Sequence, residues 1–461
     1  MSKPAVIAAL EPGFSPLSLA WRDYQKDVNA SSNPRRFVCA IERDKGLCSP
    51  WETMILPENI DEKRTVALLE RIVKSLLWIR GGYRIKVAGC YALYEFLKTA
   101  YAPGGARAFD ADFMAGVYEK PFEVLWEEDP QTIAEGREAA SPMGRHMNGC
   151  RIGFDAGGSD RKVSAVIDGE AVFSKEVVWF PKTNDNPDYH YQGILSAMRE
   201  AAEHMPRVDA IGVSSAGVYI DNRIMVASLF LKVPKVLFDL KVKDMYINVA
   251  KEIGDVPLVV ANDGDVTALA GAMSLNAGNV LGIAMGTSEA GGYVDHDMHI
   301  MGWLNELAFV PVDFNPAAMA DEWSGDIGCG VKYFSQDAVI KLAPAAGIHL
   351  EESLSPAEKL KIVQTEMERG NPEAIKLYET IGVYFGYAIA YYALFYEIDH
   401  VLIMGRVTSG EGGTLLLDKA REVLKKDFPE LFTRAQLHIP DEKSRRVGQS
   451  VAAASLPEIH R

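Results

Sequence analysis

One carboxylate, two glycines, a hydroxyl and a lysine stand close together in the run Asp155-Ala156-Gly157-Gly158-Ser159-Asp160-Arg161-Lys162. Glycines let backbone N–H groups come near a phosphate, and successive N–H groups form an anion nest. Gly157 and Gly158 supply that backbone, Ser159 adds a donor and Lys162 a positive charge. Asp155 can hold a magnesium ion, directly or through water. The same run also reads as an ordinary hairpin with a glycine turn, since a lone glycine loop is a weak signal. A second loop of this kind, Gly286-Thr287-Ser288-Glu289-Ala290-Gly291-Gly292, follows the apolar run Val280–Ala284. Two such loops suggest two jaws around a polyphosphate. The apolar run Val401–Gly405 meets Arg406-Val407-Thr408-Ser409-Gly410-Glu411-Gly412-Gly413, a loop that can receive a nucleoside. Between the first two lies Asn262-Asp263-Gly264-Asp265. A carboxylate at a strand end can take a proton from a hydroxyl, and Asx residues there also serve as helix N-caps. Both readings of Asp263 stay open at this point.

These groups need strands and helices to hold them. Cys150–Phe154, Val163–Ile167 and Ala171–Phe173 read as three strands, with Asp168-Gly169 as a hairpin turn. A helix over Gly193–His204 and a returning strand at Ala210–Ser214 follow. Pro257–Ala261 is an apolar strand that runs into Asn262, and the alanine-rich stretch after it is a helix. From Ala338 onward the chain reads as mostly helical, interrupted by a buried strand at Val401–Gly405, with a final helix in the tail from Ser444 to Arg461. Upstream, the first thirty or so residues carry Pro4, Pro12 and Pro16 and read as an irregular arm laid over another domain. Strands at Arg36–Glu42 and Trp51–Leu56, a helix ending at Arg80, a strand at Arg84–Val87 and a helix at Tyr91–Tyr101 follow. That order roughly repeats after Gly153, as a degenerate copy or as an unrelated α/β cap. The stretch 127–150, with Ser141-Pro142-Met143-Gly144 inside it, reads as a linker. The expected domains are therefore an N-terminal α/β extension over 1–148 and a second domain over 149–461.

At 461 residues the chain is too long for one core and predicts roughly two to four domains. A net charge of -15 argues against a nucleic-acid footprint, which needs a basic face. Five cysteines, odd in number and irregularly spaced, suggest reduced thiols rather than a disulfide framework. No stretch is apolar enough to span a bilayer, and the expectation is a cytoplasmic protein without membrane or nucleic-acid partners. The cluster Asp295, His296, Asp297 and His299 reads better as a polar turn than as a metal site.

Taken together, these stretches resemble the repressor–ORF–kinase (ROK) family of sugar kinases, within the actin-like ATPase superfamily. The resemblance covers Arg151 to the C-terminus. It implies an α/β fold of two ribonuclease-H-like subdomains with a cleft, ATP and magnesium as cofactors, a sugar as substrate and a homodimer as assembly. In its terms Asp155, Gly157, Gly158, Ser159 and Lys162 are the first phosphate loop, with Asp155 toward the metal. Gly286 and Thr287 are the second loop, and Gly405 opens the adenosine loop. Asn262 binds sugar and Asp263 is the catalytic base. Glu306, in Asn305-Glu306-Leu307, binds sugar hydroxyls, with Ser214, Ser215 and Ser228 as weaker candidates. Gly328-Cys329, with Tyr333 and Ser335, resembles the segment after the family's zinc knuckle.

The chain also departs from this pattern. Phe309 stands where the zinc histidine belongs, and Glu322 and Ser324 where two cysteines belong, so only Cys329 remains. One cysteine cannot hold structural zinc, and none is expected. Val331 replaces a second sugar-binding glutamate, and Ser288 and Ala290 replace glycines of the second phosphate loop, with Glu289 between them. A catalytically weak regulator that binds sugar or nucleotide is the alternative expectation. The winged helix of some relatives has no counterpart in the strand-rich N-terminal region.

Overall fold

The seven residues of the Cys150–Ala156 strand, all buried and five of them without a charged side chain, form the middle of a five-stranded sheet. The computed structural model describes residues 2–138, 143–440 and 442–459, without the side chains of Ala134 and 442–447. The sheet runs in the order Leu258–Asn262, Ala210–Ser215, Cys150–Ala156, Asp160–Ile167, Glu170–Val178. The first three strands are parallel and the last two turn back antiparallel. Parallel strands buried on both faces need near-continuous apolar runs, which Ile152, Phe154, Ile211, Val213 and Val260 help provide. The helix Pro187–Ala202 follows the meander, and Met245–Ile253 precedes the last strand. The C-terminal helix Glu442–Ala454 lies on the same sheet. Its backbone comes so near that a Cβ on Gly153 or Gly212 would sit 1.9 Å or 1.6 Å from the carbonyl oxygens of Ser450 or Ala453. No side chain fits there, which is the reason for glycine in two apolar strands.

The chain divides into two compact units. The sheet just described belongs to the second, made of residues 140–282, 292–302 and 440–461. The first unit joins residues 1–139 to 283–291 and 303–439. Its N-terminal sheet runs Cys48–Ile55, Arg35–Glu42, Arg84–Ala88, Glu123–Trp126. The element order resembles that after Gly153, but the sense differs. Arg84–Ala88 returns antiparallel to Arg35–Glu42, whereas Ala210–Ser215 returns parallel to Cys150–Ala156. A further four-stranded sheet, in the order Glu289–Val294, Val280–Met285, His400–Met404, Gln436–His438, carries the other two glycine loops. The long helix Pro372–Tyr392 is buried along most of its length and packs on Glu411–Asp427.

Three parts of the sequence reading need correction. Residues 17–30 are a helix, Leu17–Ala30, not an irregular arm. Leu17, Ala20, Trp21, Tyr24 and Val28 follow the three-four spacing of a buried face, and Pro16 marks its start rather than disorder. Only residues before it form an arm. That arm runs over the first unit, where Lys341 Nζ and the Tyr384 hydroxyl both donate to Glu11, and Ser15 N–H donates to Asp313 (2.9 Å). The helix Ala108–Tyr118 and the strand Glu123–Trp126 were not anticipated. The helix read as Gly193–His204 begins earlier, at Pro187, capped by Asn186. Of the linker stretch, residues 139–142 lie outside the described residues, as do His460 and Arg461 of the tail. No described helix is long and apolar enough to cross a membrane.

Candidate active site

The second unit brings together the carboxylates singled out above at the carboxyl ends of its parallel strands. Asp155 pairs in register with Ser214, and Asn262 with Ser215. Ligands collect at such ends in open α/β sheets. The Ser214 hydroxyl donates to Asp155 Oδ1 at 3.0 Å, and Gln449 of the C-terminal helix donates to the Ser214 oxygen at 3.3 Å. Lys162 is the cross-strand partner of Asp155, and its Nζ stands 3.9 Å from Asp155 Oδ2 and 3.2 Å from Asp160. Burial pushes the Asp155 carboxyl up to about 6. Lys162 and Ser214 pull it down, and the negative charges of Asp263 and Asp160 push it further up. A cation at Asp155 would relieve that repulsion, so the donor set fits a magnesium ion.

Asn262 is the N-cap of the helix Asp263–Leu275: its Oδ1 accepts from Gly264 N–H at 2.7 Å. Its Nδ2 donates to Gly217 O at 2.8 Å. Each amide atom keeps one further hydrogen-bonding site, so capping does not exhaust the side chain. Asp263 is half-buried on the first turn of that helix, and its Oδ1 accepts from Gly264 N–H at 3.0 Å. Burial raises its pKa, against the pull of that N–H and of the Lys182 charge. The capping reading therefore belongs to Asn262, and Asp263 lies on the first turn with one oxygen on Gly264 N–H. Ser215 accepts from the Tyr246 hydroxyl at 3.2 Å, which makes it a packing contact. Ser228 is half-buried at the start of a single helical turn.

Sequence reasoning missed the residues that brace the first glycine turn. Trp179, fully buried, donates its indole N–H to Gly157 O at 2.8 Å and its backbone N–H to Ser159 O at 3.1 Å. Lys182 lies over the turn: a Cβ on Gly158 would stand 2.9 Å from Lys182 Nζ. The buried His190 holds this segment, with Nε2 at 3.0 Å from Pro181 O and 3.2 Å from Leu229 O. It thereby ties the Lys182 segment to the residue after Ser228. The only sequence signal was an aromatic-proline-lysine run at the end of a strand, which belongs to no motif.

The remaining expected residues belong to the first unit. Gly286 N–H donates to Ser288 O at 2.9 Å, and Gly286 O accepts from Gln336 N–H at 2.9 Å, which leaves Thr287 exposed at the tip. Gly405 has φ 100°, and a Cβ there would be 2.3 Å from Met285 O. Only glycine lets the Arg406 loop lie against the strand that leads into Gly286. Glu289 does not crowd the exposed tip. It is 3% exposed, accepts from the Tyr392 hydroxyl at 3.4 Å, and lies against Gly330. Its Oε2 has no partner, and burial pushes the carboxyl up to about 8. Glu306 is half-buried, and its backbone N–H donates to Trp78 O at 3.1 Å.

The positions that would hold zinc do not fit it. Phe309 stacks on the buried Trp78 with ring centroids 4.2 Å apart. Lys332 engages Glu322, and Ser324 Oγ donates to Asp321 at 2.8 Å. Cys329 is buried with its thiol pushed up to about 12 by desolvation, far from the thiolate a metal needs. Beside it, Asp326 is held by Arg71, Lys74 and Arg107, each at 2.9 Å. Cys329 thus lies beside a buried ion network whose cations come from the N-terminal region. Asp295, Asp297 and His299 lie on a turn in which Asp295 Oδ1 accepts from the N–H groups of Asp297 (3.0 Å) and His299 (2.8 Å), and one ligand atom of each lies within 4.8 Å of the others.

No protein-family model matches the chain, and no curated protein matches its sequence. Solved structures do match it. A ROK hexokinase from Thermus thermophilus superposes with a TM-score of 0.51 at 17% identity, over 66% of this chain and 97% of that one. A ROK family transcriptional regulator, a homologue of the E. coli MLC protein, gives 0.51 at 16% identity, over 67% and 79%. A ROK family glucokinase from Streptomyces griseus, solved with glucose and AMPPNP, gives 0.48 at 20% identity, over 67% and 99%.

Proposed function

Since the chain carries the actin-like ATPase fold of ROK proteins, we propose that it transfers the terminal phosphoryl group of ATP to a hydroxyl of a sugar. The observation that carries this reading is the pair Asp155 and Asp263. Both lie at the carboxyl ends of parallel strands, both are raised by burial, and the second senses the Lys182 charge. Asp263 is the general base: its carboxylate takes the proton of the attacking hydroxyl as the O–P bond forms. A carboxylate whose pKa is raised by burial holds that proton better. Magnesium, held by Asp155, would neutralise charge on the triphosphate. Phosphoryl transfer asks mainly for positioning and charge neutralisation. Gly157, Gly158 and Ser159 offer backbone N–H groups and a hydroxyl to phosphate oxygens, with Lys162 and Lys182 as nearby cations. Gly286, Thr287 and Gly405 serve the remaining phosphates and the nucleoside. Asn262, Glu306 and Ser228 grip sugar hydroxyls. The domains proposed on this reading are an N-terminal extension over 1–148 and a kinase domain over 149–461.

The test is ADP release, coupled to a dehydrogenase, over a panel of hexoses, amino sugars and polyols. At least one sugar is expected to raise ADP release well above the sugar-free rate. If none does, the second reading takes over: a regulator that binds sugar or nucleotide without turnover. The fold shared with a ROK transcriptional regulator and the altered loop at Ser288 and Ala290 are what favour it.

A further inference from the structure

The buried ion network of the first unit forms the floor of a cavity of about 930 Å³. Drug-sized ligands occupy cavities of roughly this size. Arg71 and Arg107 line it, and each is only 8% exposed. The hydrogen bonds on this floor can be followed atom by atom. Glu70 accepts from Arg107 Nε at 2.8 Å through Oε1 and from Arg71 Nε at 2.6 Å through Oε2. Asp326 takes Arg71 Nη1 and Arg107 Nη1, each at 2.9 Å, and Lys74 Nζ at 2.9 Å. Both carboxylates are therefore engaged through both oxygens. The donors are not used up. Among the described residues, Nη2 of Arg71 and Nη2 of Arg107 have no partner. Neither is sealed from solvent. Asp313, which also lines the cavity, accepts from Ser15 and Asn315 N–H through Oδ1 and from the Tyr333 hydroxyl through Oδ2. The floor thus has surplus donors, both guanidinium, and carboxylates already engaged. The walls are apolar, with Val66, Phe96, Phe314 and Ile327, and Phe96 is 45% exposed. Glu62 and Lys63, also lining it, are exposed and of opposite charge.

We propose that this cavity binds a small organic anion, a carboxylate or phosphate ester with an apolar body, through the free Nη2 groups of Arg71 and Arg107. Guanidinium groups match both kinds of head group, and charge-assisted hydrogen bonds to them are the strong ones. The apolar body lies against Phe96 and Ile327. This site does not depend on the kinase reading, since it uses none of the residues assigned to phosphoryl transfer.

The experiment is isothermal titration of the full chain with phenylphosphate, benzoate and inorganic phosphate, with AMPPNP in excess so that nucleotide loops are filled. Phenylphosphate or benzoate is expected to bind, and the stronger of the two identifies the head group. Inorganic phosphate, lacking the apolar body, is expected to bind about ten-fold more weakly. Ala67→Trp, on the exposed wall, fills the space without touching the ion network and is expected to abolish binding with the thermal midpoint kept. Phe96→Ala is expected to weaken phenylphosphate several-fold and leave inorganic phosphate unchanged. Absence of binding by every probe in the millimolar range would overturn the site. So would binding that neither variant alters.

Discussion

The two units hold their candidate site residues by different means. In the second unit some of the closest holding groups are near neighbours in sequence, although Ser214 reaches Asp155, and Gln449 reaches Ser214, from farther along the chain. Asp155 and Lys162 face each other across one turn, and Asn262 caps the helix whose first residue is Asp263. In the first unit they come from far away. Glu306 hangs by its amide on Trp78, Phe309 stacks on the same indole, and Asp326 is gripped by Arg71, Lys74 and Arg107. The difference teaches which positions depend on distant segments. A pair set within one turn needs few other residues. A site set by long-range packing needs many, and there residues 1–139 supply an aromatic stack and an ion network.

The sharpest way to break this contrast is Asp326→Ala. It leaves Arg71, Lys74 and Arg107 buried with one carboxylate fewer, and such a change costs about 3–5 kcal/mol. Urea denaturation should show the loss, and a cost near zero would mean that the network does not hold the loop. Next comes pH. Glu289 has its folded value raised from 4.5 to about 8, so the native state binds the extra proton between those limits. Stability present below about pH 4.5 is therefore lost as pH rises toward 8. Glu289→Gln should flatten that fall and be more stable than the parent above pH 8, by on the order of a few kcal/mol. An unchanged pH slope would show that Glu289 is ionised in the fold. In the second unit, Lys182→Ala should raise the KM for ATP about ten-fold, with partial rescue by Lys182→Arg. Smallest is Trp179→Phe, which removes one hydrogen bond to Gly157 O and should cost about 1 kcal/mol by thermal unfolding.

The second unit was largely legible in the sequence because its signals are short-range. Apolar strands, a glycine turn and an Asx cap after a strand each occupy fewer than ten residues. The first unit was legible only in pieces. Its helix Leu17–Ala30 was hidden by three prolines upstream, although its apolar spacing was regular. The helix Ala108–Tyr118 has small, mixed residues with little contrast between its faces, so periodicity does not expose it. Lys182 was invisible because it approaches Gly158 from the end of another strand, a relation set by sheet register. The burial of Glu289 could not be foreseen either, since its environment is made by Tyr392 and Gly330.

The central claim is that the second unit's strand-end carboxylate removes the proton from a sugar hydroxyl. Sugar-dependent ADP release by Asp263→Asn, beside sugar binding by the same variant, tests it most directly. The account predicts a fall in turnover of about 10²–10⁴-fold with sugar affinity kept. Turnover equal to that of the parent chain would contradict it.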